Sequence, residues 1–359
     1  MRALVRRGME EGAFGLSSGL FYTPGSFSKT DEVIALAAIA GELGGVYTSH
    51  IRDEADYNIG VVAAVQEVIR IAEEAKVVGI VSHMKALGPD NWGLAMASTM
   101  RIEQARARGV PVFADQYPYE ASSTSLRAAL LPGGVEIPGK NGAPATPDQS
   151  KALEAVLATI KENIRRRGGA DSIQIASFSR DTSLKGKTLA QIAAARGAAP
   201  DVTAFDMLST GDASIVSFNM SEADIRHIMT RPYTMASSDG GLVMAGAGQP
   251  HPRNNGAFAR RLAVYVRERG VVGLEFAIRS MTSLPATVFG MTTRGALREG
   301  AIADIAIFNL DDIRERATYA DPHQVAEGMA WVLVNGVAVV ADGKFTDALP
   351  GKVLRRGER

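Results

Sequence analysis

Short apolar runs alternate with amphipathic segments through the first 115 residues. Leu4, Val5 and Met9 fall on one side of residues 1–11 with charges opposite, so this stretch reads as the end of a helix. Residues 12–17 read as a short buried strand that runs into a turn-rich loop at 18–26. A helix follows near 30–43, with Thr30 as its N-cap and acidic residues in its first turn. Val46 and Tyr47 then lead to Ser49-His50, and the apolar run 77–81 leads to Ser82-His83. Between them Val61, Val62, Val65, Val68, Ile69 and Ala72 follow the helical period. Another helical pattern after Gly93 precedes a strand at 110–115. Strands and helices alternating at these lengths predict parallel βα units.

The pattern changes between about 120 and 231. Ser122 to Ser125, Pro132-Gly133-Gly134 and the segment 138–144 make a loop-rich start. A polar helix at 148–167, a strand at 172–177 and helices near Thr188 and at 221–229 follow. This stretch reads as an insertion over the mouth of the parallel sheet, either a water-excluding lid or a stabilising subdomain. The strand-then-polar pattern returns at 232–241 and places Asp239 at a strand's carboxyl end. A glycine-rich loop at 240–248 leads into His251-Pro252-Arg253, then helices at 255–270 and 274–282. Apolar runs at 303–308 and 331–340 read as strands. Asn335-Gly336 signals a hairpin, and Asp342-Gly343 marks another turn. The expected domains are therefore 1–294, carrying the insertion at about 120–231, and a small antiparallel unit at 295–359.

The 359 residues suffice for a large core, and 39 basic against 39 acidic residues leave no net charge to favour a polyanionic or membrane partner. With no cysteine, disulfides and thiolate metal sites are excluded. No apolar run approaches a transmembrane span, and the basic N-terminus lacks a signal-peptide apolar region. A cytoplasmic protein without nucleic-acid or membrane partners is the expectation.

His50 and His83 carry the most specific chemistry. Ligands gather at the carboxyl ends of strands in parallel α/β folds. Neutral imidazole is the commonest side-chain metal ligand, holding zinc at about 2.0–2.1 Å. Two histidines at equivalent heights on adjacent strands suit one shared ion. Either one alone reads equally as a hydrogen-bonded residue of a polar mouth. Asp239 suits a proton shuttle, although an Asp-Gly pair by itself reads as a turn.

Assembled, these blocks resemble the N-acyl-D-amino-acid deacylase (D-aminoacylase) branch of the amidohydrolase superfamily. The resemblance runs through GAFGLSSGLFYTPG at 12–25, YTSHIRDE at 47–54, SHMKALG at 82–88 and ADQYPYEAS at 114–122. It continues in SSDGG at 237–241, HPRNNGAFAR at 251–260, the 282–308 segment and the 317–336 segment. It implies a TIM-like (β/α) barrel with a small β-sandwich and zinc at the barrel mouth. It makes His50 and His83 zinc ligands and Asp239 the catalytic aspartate. Lys85 and Arg253 then meet the substrate carboxylate, and Tyr117 or Tyr119 contacts substrate. A guanidinium grips a carboxylate in two places, which fixes the α-carbon as a chiral choice requires. The implied reaction is zinc-dependent hydrolysis of N-acyl-D-amino acids, or of peptides ending in a D-residue, to a carboxylate and a free D-amino acid.

The sequence departs from that family in one respect. Members begin with a β-sandwich portion and a first barrel strand bearing His-x-His, with a bridging cysteine or acidic ligand nearby. The five histidines here are His50, His83, His227, His251 and His323, and none is paired in that way. About five βα strands precede Asp239, against the eight of a barrel. The expectation is a partial barrel that lacks the N-terminal third and is poorly stable alone. Two alternatives stand beside the deacylase: an inactive fragment of such an enzyme, and a cyclic-amide hydrolase with less need of Arg253.

Overall fold

The computed structural model describes residues 1–135, 137 and 147–357. The loop read at 138–144 lies outside the described residues. Helix α1 (Arg2–Glu10) leads to β1 (Gly15–Gly19), α2 (Thr30–Glu42), β2 (Val46–His50), α3 (Val61–Ala75), β3 (Val78–Val81), α4 (Leu94–Ala107) and β4 (Val112–Gln116). These strands are parallel neighbours in chain order, and β8 (Thr234–Ala236) adds to β4, giving a five-stranded sheet β1-β2-β3-β4-β8. Helix α3 buries one stripe, including Val65, Val68, Ile69 and Ala72, against Tyr47, Val81 and Val112. The helix sits so close that a side chain on Gly79 would come within 2.8 Å of the Ala72 methyl.

Two local expectations need correction. The N-cap of α2 is Lys29, because the Thr30 hydroxyl donates instead to Glu67 Oε1 at 2.7 Å. The first strand begins at Gly15 rather than 12, and its residues are half-buried or exposed, with the Ser18 hydroxyl 2.7 Å from that of Tyr47.

A second unit follows β4. Strand β5 (Ser122–Ser125) precedes α5 (Leu126–Leu130), α6 (Pro147–Arg166), β6 (Ile173–Ser177), α7 (Leu189–Arg196), α8 (Pro200–Thr210) and β7 (Ser214–Ser217). The three strands form an antiparallel sheet, β5-β7-β6. It has its own apolar core, in which Leu126, Ile160, Ile173, Leu189, Leu208 and Ile215 are buried. Thr188 caps α7 through a reciprocal pair with Gln191, a capping box. Helix α9 (Glu222–Met229) packs back on the parallel layer: Asp224 accepts the Gly93 N–H at 2.9 Å and His227 meets Thr99 Oγ1 at 2.8 Å.

After β8 the chain forms α10 (Arg253–Arg260), which continues as a π-helical stretch (Arg261–Glu268), then α11 (Leu274–Met281) and α12 (Ser283–Val288). Strands β9 (Ile305–Phe308), β10 (Met329–Val334), β11 (Val337–Ala341) and β12 (Lys344–Phe345) make an antiparallel sheet ordered β12-β11-β10-β9. Asn335 and Gly336 both take positive φ (51° and 81°) between β10 and β11, as the tightest hairpin turn requires. Asp342-Gly343 does the same before β12. Among the described residues no helix is long and apolar enough to cross a membrane.

Candidate active site

The parallel strands deliver their carboxyl ends to one mouth. His50 is the last residue of β2, and His83 lies two residues beyond β3 with φ 39°. Asp239, three residues past β8, has φ 46°. Left-handed backbone at non-glycine residues is uncommon and marks places where the surroundings dictate conformation. The clamp here is Asp115 at the end of β4. Its Oδ1 accepts the His83 N–H at 2.9 Å and the Ser237 hydroxyl at 2.6 Å.

The two histidines converge. His50 Nδ1 is 2.9 Å from His83 Nε2. On the other side of the His83 ring, Nδ1 lies 3.0 Å from Glu54 Oε1 and 2.6 Å from Lys85 Nζ. Lys85 Nζ in turn donates to Glu54 Oε1 at 2.5 Å. Burial pushes the His50 imidazole down to about 4, with His83 and Lys85 acting in the same sense and Glu54 and Asp239 against it. Burial alone would raise the Glu54 carboxyl, but the adjacent Lys85 and the two histidines hold it well below the usual range. At neutral pH the site therefore has a neutral His50 and an ionised Glu54.

This donor set fits a metal ion. His50, Glu54 and His83 bring their ligand atoms within 4.8 Å of one another. His50 Nδ1 and Glu54 Oε1 lie against opposite nitrogens of His83. With Nε2 turned to His50, Nδ1 faces both the Glu54 carboxylate and the Lys85 ammonium, which places Glu54 behind the histidine pair. Lys85 neutralises Glu54.

Beside the histidines lies a cationic corner. Arg253 Nη1 stands 2.9 Å from Asp239 Oδ2, yet that contact is off the hydrogen-bond direction. Nε and Nη1 are both buried without a hydrogen-bond partner. Its guanidinium lies over the Tyr117 ring, 4.4 Å from the centroid, and Lys85 Nζ is 5.5 Å from the same ring. The backbone of Arg253 is fixed by His251, whose Nδ1 accepts its N–H at 3.0 Å while Nε2–H donates to Ala121 O at 2.9 Å. Burial pushes His251 well below its ordinary value, with Arg253 adding to the effect, so it holds one proton for those two contacts.

The structure separates the two candidate tyrosines. Tyr117 lines the pocket with His50, His83, Lys85, Asp239 and Arg253. Tyr119 points away and donates to Glu315 Oε1 at 2.6 Å, where Arg260 pairs with Oε2 at 2.8 Å. Sequence reasoning passed over Glu54, although it closes the SHIRDE block, and Asp115, although it ends a strand. It also passed over the far wall, where Phe21, Tyr22, Tyr57, Ser122 to Thr124 and Arg167 line the same pocket. His227 and His323 stand outside the pocket, on Thr99 and on Gly248 O.

With that geometry in hand, the likenesses become informative. Residues 1–345 match the family described as "Amidohydrolase family". The chain is 36% identical over 356 residues to the N-acyl-D-glutamate deacylase of Alcaligenes xylosoxydans xylosoxydans, covering 99% of itself and 64% of that protein. It is 33% identical over 359 residues to the D-aminoacylase of the same organism, covering 99% and 64% respectively. Among solved structures it resembles the N-acyl-D-glutamate deacylase of Bordetella bronchiseptica, complexed with zinc and a phosphonate that mimics the tetrahedral intermediate. There the TM-score is 0.80 at 36% identity, over 99% of this chain and 65% of the other. The chain thus spans just under two thirds of the length of the relatives it matches. The parallel sheet with its C-terminal antiparallel sheet is the architecture expected from the sequence, and the chain belongs to the amidohydrolase family.

Proposed function

We propose that this chain carries the metal-binding and carboxylate-binding face of a zinc-dependent deacylase acting on N-acyl-D-amino acids. The observation that carries this reading is the convergence of His50 Nδ1 and His83 Nε2 at 2.9 Å beside Arg253, which is ion-paired with Asp239 but whose buried Nε and Nη1 make no hydrogen bond. His50 and His83 would hold the zinc ion. When bound, zinc polarises a carbonyl and lowers the pKa of an attached water. Arg253 receives the α-carboxylate of the substrate, with Lys85 and Tyr117 beside it. Asp239 takes a proton from the attacking water as its oxygen bonds to the acyl carbon, then delivers that proton to the amine nitrogen as the C–N bond breaks. The products are a carboxylic acid and a D-amino acid. Residues 122–217, which supply the Ser122 to Thr124 wall and Arg167, exclude bulk water from the pocket.

The buried Arg253 donors that make no hydrogen bond favour a linear N-acyl amino acid over a cyclic amide, which lacks a free carboxylate. The test is hydrolysis of racemic N-acetylmethionine and N-acetylglutamate by the 359-residue chain with added zinc, followed by chiral analysis. Release of the D-product alone is expected. Release of the L-product, or of none from a chain shown by equilibrium dialysis to hold zinc, overturns the reading. A chain that holds no zinc at neutral pH is the inactive fragment.

A further inference from the structure

Arg52, two residues past His50, is buried in an ion pair with Glu67 of α3, the two side chains being 10% and 6% exposed. The guanidinium grips the carboxylate as a fork: Nε donates to Oε2 at 2.9 Å and Nη2 to Oε1 at 2.8 Å. Its other hydrogen bonds go to one loop. Nη2 donates to Ser28 O at 2.9 Å and Nη1 to Ser26 O at 3.3 Å. A buried ion pair is weak evidence for stability. The two bonds to a single loop are what this pair adds.

That loop carries the aromatic wall of the pocket. The Ser26 N–H donates to Tyr22 O at 2.8 Å, so the hold on Ser26 passes to Tyr22. The Tyr22 ring lies 4.7 Å from His50 and 5.3 Å from Phe21, and Phe21 lies 5.5 Å from Tyr57. Phe21, Tyr22 and Tyr57 line the pocket with the histidines, whereas Arg52 does not. Asp53 anchors the facing loop in the same way, accepting the Ala55, Asn58 and Gly60 N–H groups at 2.9, 2.6 and 3.0 Å around Tyr57.

We infer that Arg52 is a positioning residue: through Ser26 and Ser28 it holds Phe21 and Tyr22 at the distance from His50 that a bound N-acyl-D-amino acid requires. This rests on the deacylase reading and deepens it. Charge alone does not suffice. A lysine ammonium pairs with Glu67 but lacks the planar fork that spans a carboxylate and two carbonyls at once.

The test uses the zinc-loaded chain and the better bound of N-acetyl-D-methionine and N-acetyl-D-glutamate. Calorimetry gives ligand affinity, steady-state rates give KM and kcat, and equilibrium dialysis gives zinc affinity. Arg52→Lys is expected to weaken binding and raise KM by roughly tenfold, with a smaller change in kcat, because a displaced wall loosens the ligand without removing a reacting group. Zinc affinity is unchanged. Arg52→Met combined with Glu67→Leu removes both buried charges together, which folds tolerate, and gives the same loss of binding; it keeps the test open if Arg52→Lys fails to fold. Phe21→Ala supplies the decisive arm. Acting through this wall, Arg52→Lys adds little to the loss already present in Phe21→Ala. Full additivity of the two, an unchanged KM in both Arg52 variants, or a loss of zinc affinity parallel to that of ligand overturns the inference. Failure of the unaltered, zinc-holding chain to bind either ligand overturns the deacylase reading itself.

Discussion

Arg253 and Asp239 face one another across 2.9 Å, so the carboxylate clamp and the proton acceptor proposed for this site partly neutralise each other. An arriving substrate carboxylate competes with Asp239 for the guanidinium and leaves Asp239 free to accept a proton. Binding and activation of the base are thereby linked. Asp239→Asn should lower kcat by about 10²–10⁴, the usual worth of general acid–base catalysis. It should not raise KM, because Arg253 is released for the ligand. A steady-state rate series on the best N-acyl-D-amino acid checks this, and an unchanged kcat would remove Asp239 from the chemistry.

Glu54 lies 3.0 Å from His83 Nδ1 and carries the charge opposite Lys85. Glu54→Gln keeps the shape but removes the negative charge beside the His83 ring, and it leaves Lys85 buried without its counter-ion. Zinc affinity should fall roughly 10–100-fold, as for other orienting partners of metal-bound histidine. Competition against a chromophoric chelator measures it. Equal affinity in the two proteins would make Glu54 a structural partner of Lys85 only.

Acid should destabilise the metal-free chain earlier than carboxylate titration predicts. His50 ordinarily titrates near 6.5 but is held at about 4 in the fold by burial. Between those values the unfolded chain binds a proton that the folded chain refuses, so stability falls as pH drops from about 6.5 through about 4. His251, also depressed by burial, acts in the same direction. Urea unfolding at pH 7.5, 5.5 and 4.5 without zinc should show midpoints falling across this range. In His50→Asn the fall should be shallower, and an equal slope would count against the assignment.

Gly256 allows α10 to lie against the Tyr119–Glu315–Arg260 network. A Cβ there would come within 2.5 Å of the Tyr119 hydroxyl and 3.1 Å of Glu315 Oε1. Gly256→Ala gains helix propensity, yet it must displace a tyrosine whose hydroxyl is already committed to a carboxylate. The overpacking term should win, with a net loss of about 1–3 kcal/mol in urea unfolding. A stabilised variant would mean the network yields easily.

Much of this arrangement was legible from spacing. Ser49-His50 and Ser82-His83 end equivalent apolar runs, and parallel pairing of β2 with β3 brings their rings together. Asn335-Gly336 gave the hairpin because two positive φ angles leave few other residues. The inserted sheet was harder to read. Strands β5 and β7, SSTS and SIVS, are too polar or too short to show alternation, and they pair across the whole inserted unit. Arg167 lay at the end of a charged helix, where three successive arginines look alike in sequence. Only its burial and its contact with Asn219 distinguish the one that lines the pocket.

Asp115 has a wider effect than holding two groups. Strands β4 and β8 are neighbours in the sheet although the inserted unit separates them along the chain, and Asp115 ties the end of one to Ser237 just beyond the other. It acts as a clasp across the neck from which residues 122–217 depart and return. Lengthening or reshaping a loop costs little in closure entropy when its two anchors are already fixed. The inserted unit, with its separate core, therefore meets the histidine-bearing sheet at one pinned neck and supplies one wall of the pocket from outside that sheet.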